Sequence, residues 1–339
     1  MTLELIRSDA DSIESLRGET RHDIRRRLAK GTLIRLHTDW DLTAEEHEAL
    51  YFEESHLLTV IATTRRMLTE EGVVAYGSAV TVHGLPLWRT VLGRVHVTLC
   101  GGGLSRSSKD VFRHRDALAE EDVETVRGIR VTTLERTVVD AIRVLRPEAA
   151  IAVVDAAMRQ VAWDPETGAY DDGAAERFRD GLWERLSRMR GQRGIRQARV
   201  MVDLADGRAE SPGESVMRLY LLILGYARPR LQIEVEGPAG SAFRVDGELM
   251  DAGFFYEFDG EAKYSDPELM GGRTREQILA QQQWRQDWIE ATTARPFTRC
   301  GTQHLDSPAT LAAKLRDDGV PLPLAHVLPI GVFVSRPKN

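Results

Sequence analysis

Apolar and polar positions along this chain alternate in two rhythms, one of about 3.6 residues and one of two, and the switches between them mark its elements. "SDADSIESL" has a weak helical period. "GETRHDIRRRLAKGTLIRLHTDW" then predicts a turn, a basic helix, a stop at Gly31 and an alternating strand. Helix, turn, helix and strand is the order of a winged helix-turn-helix. Thr43 and Glu46 have the spacing of a capping box opening the next helix. Further on, "SHLLTVIATTRRMLTEEG" is an amphipathic helix, "VVAYGSAVTVHGLPLW" has small residues suited to close packing, and "RVHVTLC" and "KDVFRHRD" alternate as strands. "GIRVTTLERTVVDAIRVLRPEAAIAVVDAAMRQ" reads as a strand and two helices, the first opened by a Thr132/Glu135 capping box and the second placed behind Pro147.

Residues 161–208 are charged, broken by glycines, and predict one helix in a connector. The locally basic "RMRGQRGIRQAR" within it suits either a solvated helix face or a track along a DNA backbone. The rest has a different rhythm. "ESPGESVMRLYLLILGY" is a helix, and "LQIEVEG", "FRVDGELMD" and "GFFYEFDGE" are successive strands. "RTREQILAQQQWRQDWIEATT" is a long helix, "RPFTRCG" a strand and "SPATLAAKLRDDG" a closing helix. The expected fold class is a multidomain α/β protein. It has a winged helix-turn-helix-like domain over 1–55, a mixed α/β domain over 56–160, a helical connector over 161–208 and an α/β sandwich over 209–339.

Composition narrows this picture only slightly. With 42% apolar and 29% charged residues the chain is an ordinary globular protein, and no run approaches the roughly 18 apolar residues of a membrane helix. The opening "MTLELIRSDADSIES" lacks the basic-then-apolar order of a secretory signal. Cys100 and Cys300 have no metal-ligand spacing and read as reduced, buried thiols of a cytoplasmic protein. A net charge of −7 argues against bulk electrostatic attraction to nucleic acid, but screening confines fields to about 8–10 Å, so local patches decide. One such patch is Arg21, Arg25, Arg26, Arg27, Lys30 and Arg35, with Asp23 the one acid among them. A helix carrying it could lie in a major groove, or be a solvated face. The triple glycine at 101–103 lacks the Gly-Lys-Ser/Thr ending of a phosphate loop.

The chemistry-bearing stretch is "GFFYEFDGEAKYSDPE", where a core-type strand suddenly carries Glu257, Asp259, Glu261 and Lys263. Side chains two apart on a strand share a face, so Glu257 and Asp259 point together. A hairpin through "GELMDAG" brings Asp246 beside them. Three crowded carboxylates repel one another unless a cation is present, and hard oxygen donors suit Mg²⁺ or Mn²⁺. Lys263, past the bend expected at Gly260, could then stabilise phosphoryl charge, and the group would perform metal-assisted phosphodiester hydrolysis. Each residue has a plainer reading. Glu214 in "SPGE" can cap its helix through the Ser211 amide, Asp246 can be a turn residue, Glu257 and Asp259 can line a wet edge, and Glu261 is expected in a solvated turn.

The span 209–305 resembles the very-short-patch-repair-like endonuclease domains of the PD-(D/E)XK superfamily. The resemblance is carried by "ESPGES" with Glu214, "FRVD" with Asp246, "YEFDGEAKY" with Glu257, Asp259 and Lys263, then "QQQWRQDW" and "RPFTR". It implies a restriction-endonuclease-like domain in which Asp246, Glu257 and Asp259 hold Mg²⁺ and Glu214 supports them. The chain departs from the pattern two residues after Glu257, where Asp259 stands in place of Lys. The front part resembles AbiEi-type antitoxin and transcriptional-regulator proteins through "IRRRLAKGTLIRLHTDW", "VAYGSAVTVHGLPLW" and "GIRVTTLERTVVDAIR". That family implies a winged-helix domain, an AbiEi-like α/β domain and operator binding, although the acidic "WDLTAEE" replaces the usual end of the wing. Two functions follow as expectations. One is a Mg²⁺-dependent DNA endonuclease or nickase in defence or repair. The other is a non-catalytic DNA-binding regulator or antitoxin with a degenerate nuclease domain. The expected partners are DNA, no membrane, and a second copy of the chain or a cognate toxin.

Overall fold

The computed structural model describes residues 21–37, 40–48, 50–66, 72–99, 106–260 and 274–323. The fold is mixed α/β, and its contacts group into two units. One comprises Met1–Leu145 with Asp180–Ile195, the other Arg146–Arg179 with Arg196–Asn339. Among the described residues no helix is long and apolar enough to cross a membrane. The "SDADSIESL" segment and the triple glycine lie outside the described residues.

The first unit begins with the basic helix α1 (Arg21–Ala29) and a hairpin of β1 (Leu33–His37) and β2 (Trp40–Thr43). Gly31, at φ 71°, ends the helix, and the Thr32 amide reaches back to the Arg27 carbonyl. Helix α2 (Ala44–Glu48) starts directly after Thr43 and is followed by α3 (Phe52–Arg66). A five-stranded sheet then forms from β3 (Gly72–Val74), β4 (Val95–Leu99), β5 (Val111–His114), β6 (Val123–Val126) and β7 (Ile129–Thr132), with α4 (Tyr76–Val82) after β3. Its order is β5-β4-β3-β7-β6, with parallel β4/β5 and β3/β7 pairs and antiparallel β3/β4 and β6/β7 pairs. Val60, Val74, Val95, Val97 and Val131 are among the side chains of its core.

Helix α5 (Leu134–Val144) buries Val138, Val139 and Ile142 completely. It also carries a buried ionic row in which Arg136 bonds Asp140 at 2.7 Å and Asp122 at 2.9 Å, and Arg143 bonds Asp140 at 3.3 Å. The expected Thr132/Glu135 box is not formed. Thr133 stands at the cap without a side-chain bond, and the Thr132 hydroxyl pairs with that of Thr137 at 2.6 Å. Tertiary burial of Thr132, which is 0% exposed, gives its hydroxyl a closer partner than the helix end.

In the second unit, α6 (Pro147–Ala162) leads into a short hairpin of β8 (Trp163–Asp164) and β9 (Ala169–Tyr170). Helix α7 (Asp172–Arg188), whose residues from Asp180 on belong to the first unit, and α8 (Ile195–Leu204) follow, so the stretch expected to hold one helix holds two and a hairpin. Helix α9 (Pro212–Leu224) comes next, then β10 (Arg230–Glu236), β11 (Ala242–Leu249), β12 (Phe254–Asp259), α10 (Arg275–Thr293), β13 (Phe297–Gly301) and α11 (Pro308–Asp317). The sheet order is β10-β11-β12-β13, antiparallel through β12 and parallel between β12 and β13. β12 is thus an inner strand, as the apolar "GFFY" implies.

The two faces of this sheet follow from strand parity. Phe258 turns toward α9, so closely that a Cβ on Gly213 would sit 2.0 Å from its ring. Phe255 turns the other way and packs in one core with Ile289 of α10, Val235, Val245 and Phe297. Helix α9 also packs on α6 around a buried ion pair, Arg218 to Asp155 at 2.7 Å. Burial raises the pKa of Asp155, and the Arg218 charge opposes that shift. Cys300 of β13 is free and buried, and burial pushes its thiol up to about 12; Cys100 lies outside the described residues.

Candidate functional site

Asp246, Glu257 and Asp259 lie on β11 and β12 where the two strands part. Their last paired residues are Gly247 and Tyr256, and one step further Asp246 and Glu257 would stand opposite each other. There the Asp246 carboxylate instead accepts the Phe258 amide at 2.7 Å. Backbone amides of a strand lie in the sheet plane, so this carboxylate enters the fork between the strands. Glu257 and Asp259 lie on the α10 face, 7% and 8% exposed. Their partners are arginines. Arg285 of α10 bonds Glu257 Oε1, and Arg299, opposite Glu257 on β13, reaches Oε2 at 3.2 Å and Asp259 Oδ2 at 3.4 Å.

Glu214 stands at the start of α9. Ser211 caps that helix by accepting the Glu214 amide at 3.2 Å, and its hydroxyl donates to Glu214 Oε1 at 2.8 Å. The other oxygen accepts the Glu210 amide at 2.9 Å, not the Ser211 amide the capping-box pattern implies. Gln232 of β10 also reaches Glu214, at 3.3 Å. Gln232 has φ 52°, a strained conformation for a side chain of its kind, and it is skipped in the β10/β11 register where Asp246 would oppose it. The distortion therefore links the α9 cap to the strand position of Asp246. A polar cleft of about 520 Å³ opens beside it, lined in part by Arg208, Arg230, Gln232 and Glu234.

Beneath the fork lies Tyr256, 1% exposed, whose hydroxyl has no hydrogen-bond partner among the described residues. Burial raises its pKa, as do the negative charges of Asp246 and Glu214, while Arg218 opposes them. Among the described residues no three His, Cys, Asp or Glu side chains come within range of one metal ion. A hydrated Mg²⁺ does not need three, since it keeps several waters and takes one or two carboxylates. Here Glu257 and Asp259 are engaged by Arg285 and Arg299, and Asp246 by the Phe258 amide. Lys263 and Glu261 lie outside the described residues.

The basic helix is solvent-facing in part. Arg25, Arg26 and Lys30 are exposed, Arg27 is half-buried, and Arg26 pairs with Asp23 at 3.1 Å; the Arg21 side chain lies outside the described residues. Sequence reasoning missed Gln232, Arg285 and Arg299 as site residues. Arg285 and Arg299 sit in "QQQWRQDW" and "RPFTR", yet only the fold reveals that they meet Glu257.

No family model matches this chain. It is similar to two proteins of Mycobacterium tuberculosis, uncharacterized protein MT2308 of strain CDC 1551 / Oshkosh and uncharacterized protein Rv2248 of strain H37Rv. Each is 28% identical over 233 residues, covering 68% of this chain and 79% of the relative. The functional reading therefore rests on the site itself.

Proposed function

We propose that the second unit is a Mg²⁺- or Mn²⁺-dependent phosphodiester hydrolase acting on DNA as an endonuclease or nickase. The observation that carries this reading is the Asp246 carboxylate, fixed in the strand fork by the amide of Phe258, the residue that separates Glu257 from Asp259 along β12. A helix, three strands, helix, strand and helix around that fork support reading the unit as restriction-endonuclease-like. Asp246, Glu257 and Asp259 would hold the ion, which supplies an activated water and a charge to oppose the phosphoryl oxygens. The chain's own residues do the positioning. The Phe258 amide orients Asp246, Gln232 steadies Glu214, and Arg285 and Arg299 supply positive charge at the acids. In the first unit, Arg25, Arg26, Arg27 and Lys30 of α1 and the β1/β2 hairpin support a winged-helix reading, with DNA as partner.

The second reading is a DNA-binding regulator of the AbiEi type without catalysis. It is favoured by Glu257 already standing between two arginines, and by the lack of a three-residue ligand group among the described residues. One assay separates the two. Full-length protein is incubated with supercoiled, linear and mismatched DNA in Mg²⁺ and in Mn²⁺, beside Asp246→Ala and Glu257→Ala. Catalysis predicts cleavage by the parent protein and a loss of at least about 10–100-fold in each variant, the loss seen even for outer-shell ligand partners. Binding without cleavage on every substrate retires the hydrolase and leaves the regulator.

A further inference from the structure

The sheet of the second unit ends at β10, which pairs with β11 on its inner side and with no other described strand on its outer side. The polar cleft follows that outer edge, because every residue from Pro229 to Glu234 lines it, with Asp206 and Arg208 completing the lining. An open edge is a template for another strand, and its side chains decide which strand it accepts. The register runs unshifted past Gln232, so alternate side chains keep their faces. One face carries Arg230, Gln232, Glu234 and Glu236, with Arg228 in the same phase just ahead of the strand; the other carries Leu231, Ile233 and Val235. The four charged residues are exposed. On the inner side β11 answers them in opposite sign, with Glu248 opposite Arg230 and Arg244 opposite Glu234.

A second β10 gives the same answer. Turned antiparallel about Gln232, it sets its Glu236 against Arg228, its Glu234 against Arg230 and its Gln232 against Gln232, while Leu231 meets Ile233 on the apolar face. We propose that the outer edge of β10 binds β10 of a second copy of this chain, joining two four-stranded sheets into one about a two-fold axis at Gln232. Gln232, at φ 52°, kinks the edge, and a regular strand of another protein would have to follow that kink. A second copy carries the same kink at the same place. The existing partners of the charged side chains leave them room to move: Arg228 pairs with Asp203 at the surface, and Glu234 reaches Arg244 only at 4.0 Å. The seven residues of β10 are fewer than the roughly 20–30 residues a side of a standard interface, so the dimer is weak and forms as concentration rises. The pairing uses none of Asp246, Glu257 and Asp259, and it stands whether the unit is a hydrolase or a regulator.

Sedimentation velocity of the full-length protein at rising concentration is the test. Arg228→Glu and Glu236→Arg are the variants, because both side chains are exposed, whereas Arg230 pairs with the buried Glu248. Each variant alone turns two symmetric cross-strand pairs from attraction to repulsion and should weaken the dimer roughly tenfold. Mixed in equal amounts, the two variants complement each other at both ends of the paired strands, and the mixture should return to the parental dissociation constant. A merely local disturbance of either copy cannot give that recovery. Circular dichroism melts certify that each variant is folded. If the parent stays monomeric at every concentration, the edge remains open or takes another protein's strand, and the proposal is overturned. A dimer that neither variant weakens, or that mixing fails to restore, has its interface elsewhere and overturns it too.

Discussion

The first unit holds a chain of neutral histidines. His56 bonds the Ser78 hydroxyl at 2.8 Å, His96 and His114 face each other at 3.1 Å, and the Tyr76 ring stacks on His114 at 3.7 Å. Burial lowers all three histidines from 6.5 to about 4. A histidine whose folded pKa is depressed takes up its proton in the unfolded chain first, so its stabilisation is complete above pH 6.5 and is lost as pH falls toward 4. Thermal melts between pH 7.5 and 4 should therefore show the midpoint falling most steeply below 6.5, and His114→Gln should flatten that fall. A midpoint independent of pH across this window would mean the rings are solvated.

At the scale of elements, the contact of α9 with β12 couples stability to the site. Gly213 lies in the first turn of α9 with the Phe258 ring against its Cα, and the Phe258 amide orients Asp246. Gly213→Ala should cost about 1–3 kcal/mol, the usual cost of overpacking a tight contact, measured by denaturant unfolding. It should also reduce any cleavage more than an equally destabilising change elsewhere, because Phe258 must shift. Gly194 makes a similar demand in the first unit, where a Cβ would come 1.9 Å from the Arg143 carbonyl oxygen and φ is 77°.

For the molecule as a whole, the two units are each built from two separate stretches of chain. The consequence is testable in the second unit, where α6 supplies Asp155 to Arg218 of α9, both fully buried. A fragment of residues 209–339 loses α6 and leaves Arg218 buried without its carboxylate. Breaking such a pair costs about 3–5 kcal/mol, a large part of the 5–15 kcal/mol that holds an ordinary domain. That fragment should lack a cooperative melt, whereas residues 146–339 should retain one by circular dichroism. Equal melts for the two would show that α6 is dispensable.

The sequence by itself determined the elements from α9 to α11 and the common face of Glu257 and Asp259, because periodicity and turn chemistry are local. It also placed the Gly31 stop and the Ser211 cap on α9. Two local patterns misled. Thr132 and Glu135 have the spacing of a capping box, yet burial hands the Thr132 hydroxyl to Thr137. The charged stretch 161–208 conceals two helices behind its polarity. Only tertiary structure decided that Arg285 and Arg299 meet the acids, that Gln232 is strained opposite Asp246, and that α6 belongs with α9. Those pairings join residues 14 to 63 positions apart, and no side-chain period reaches across that distance. Strand order and helix packing bring them together.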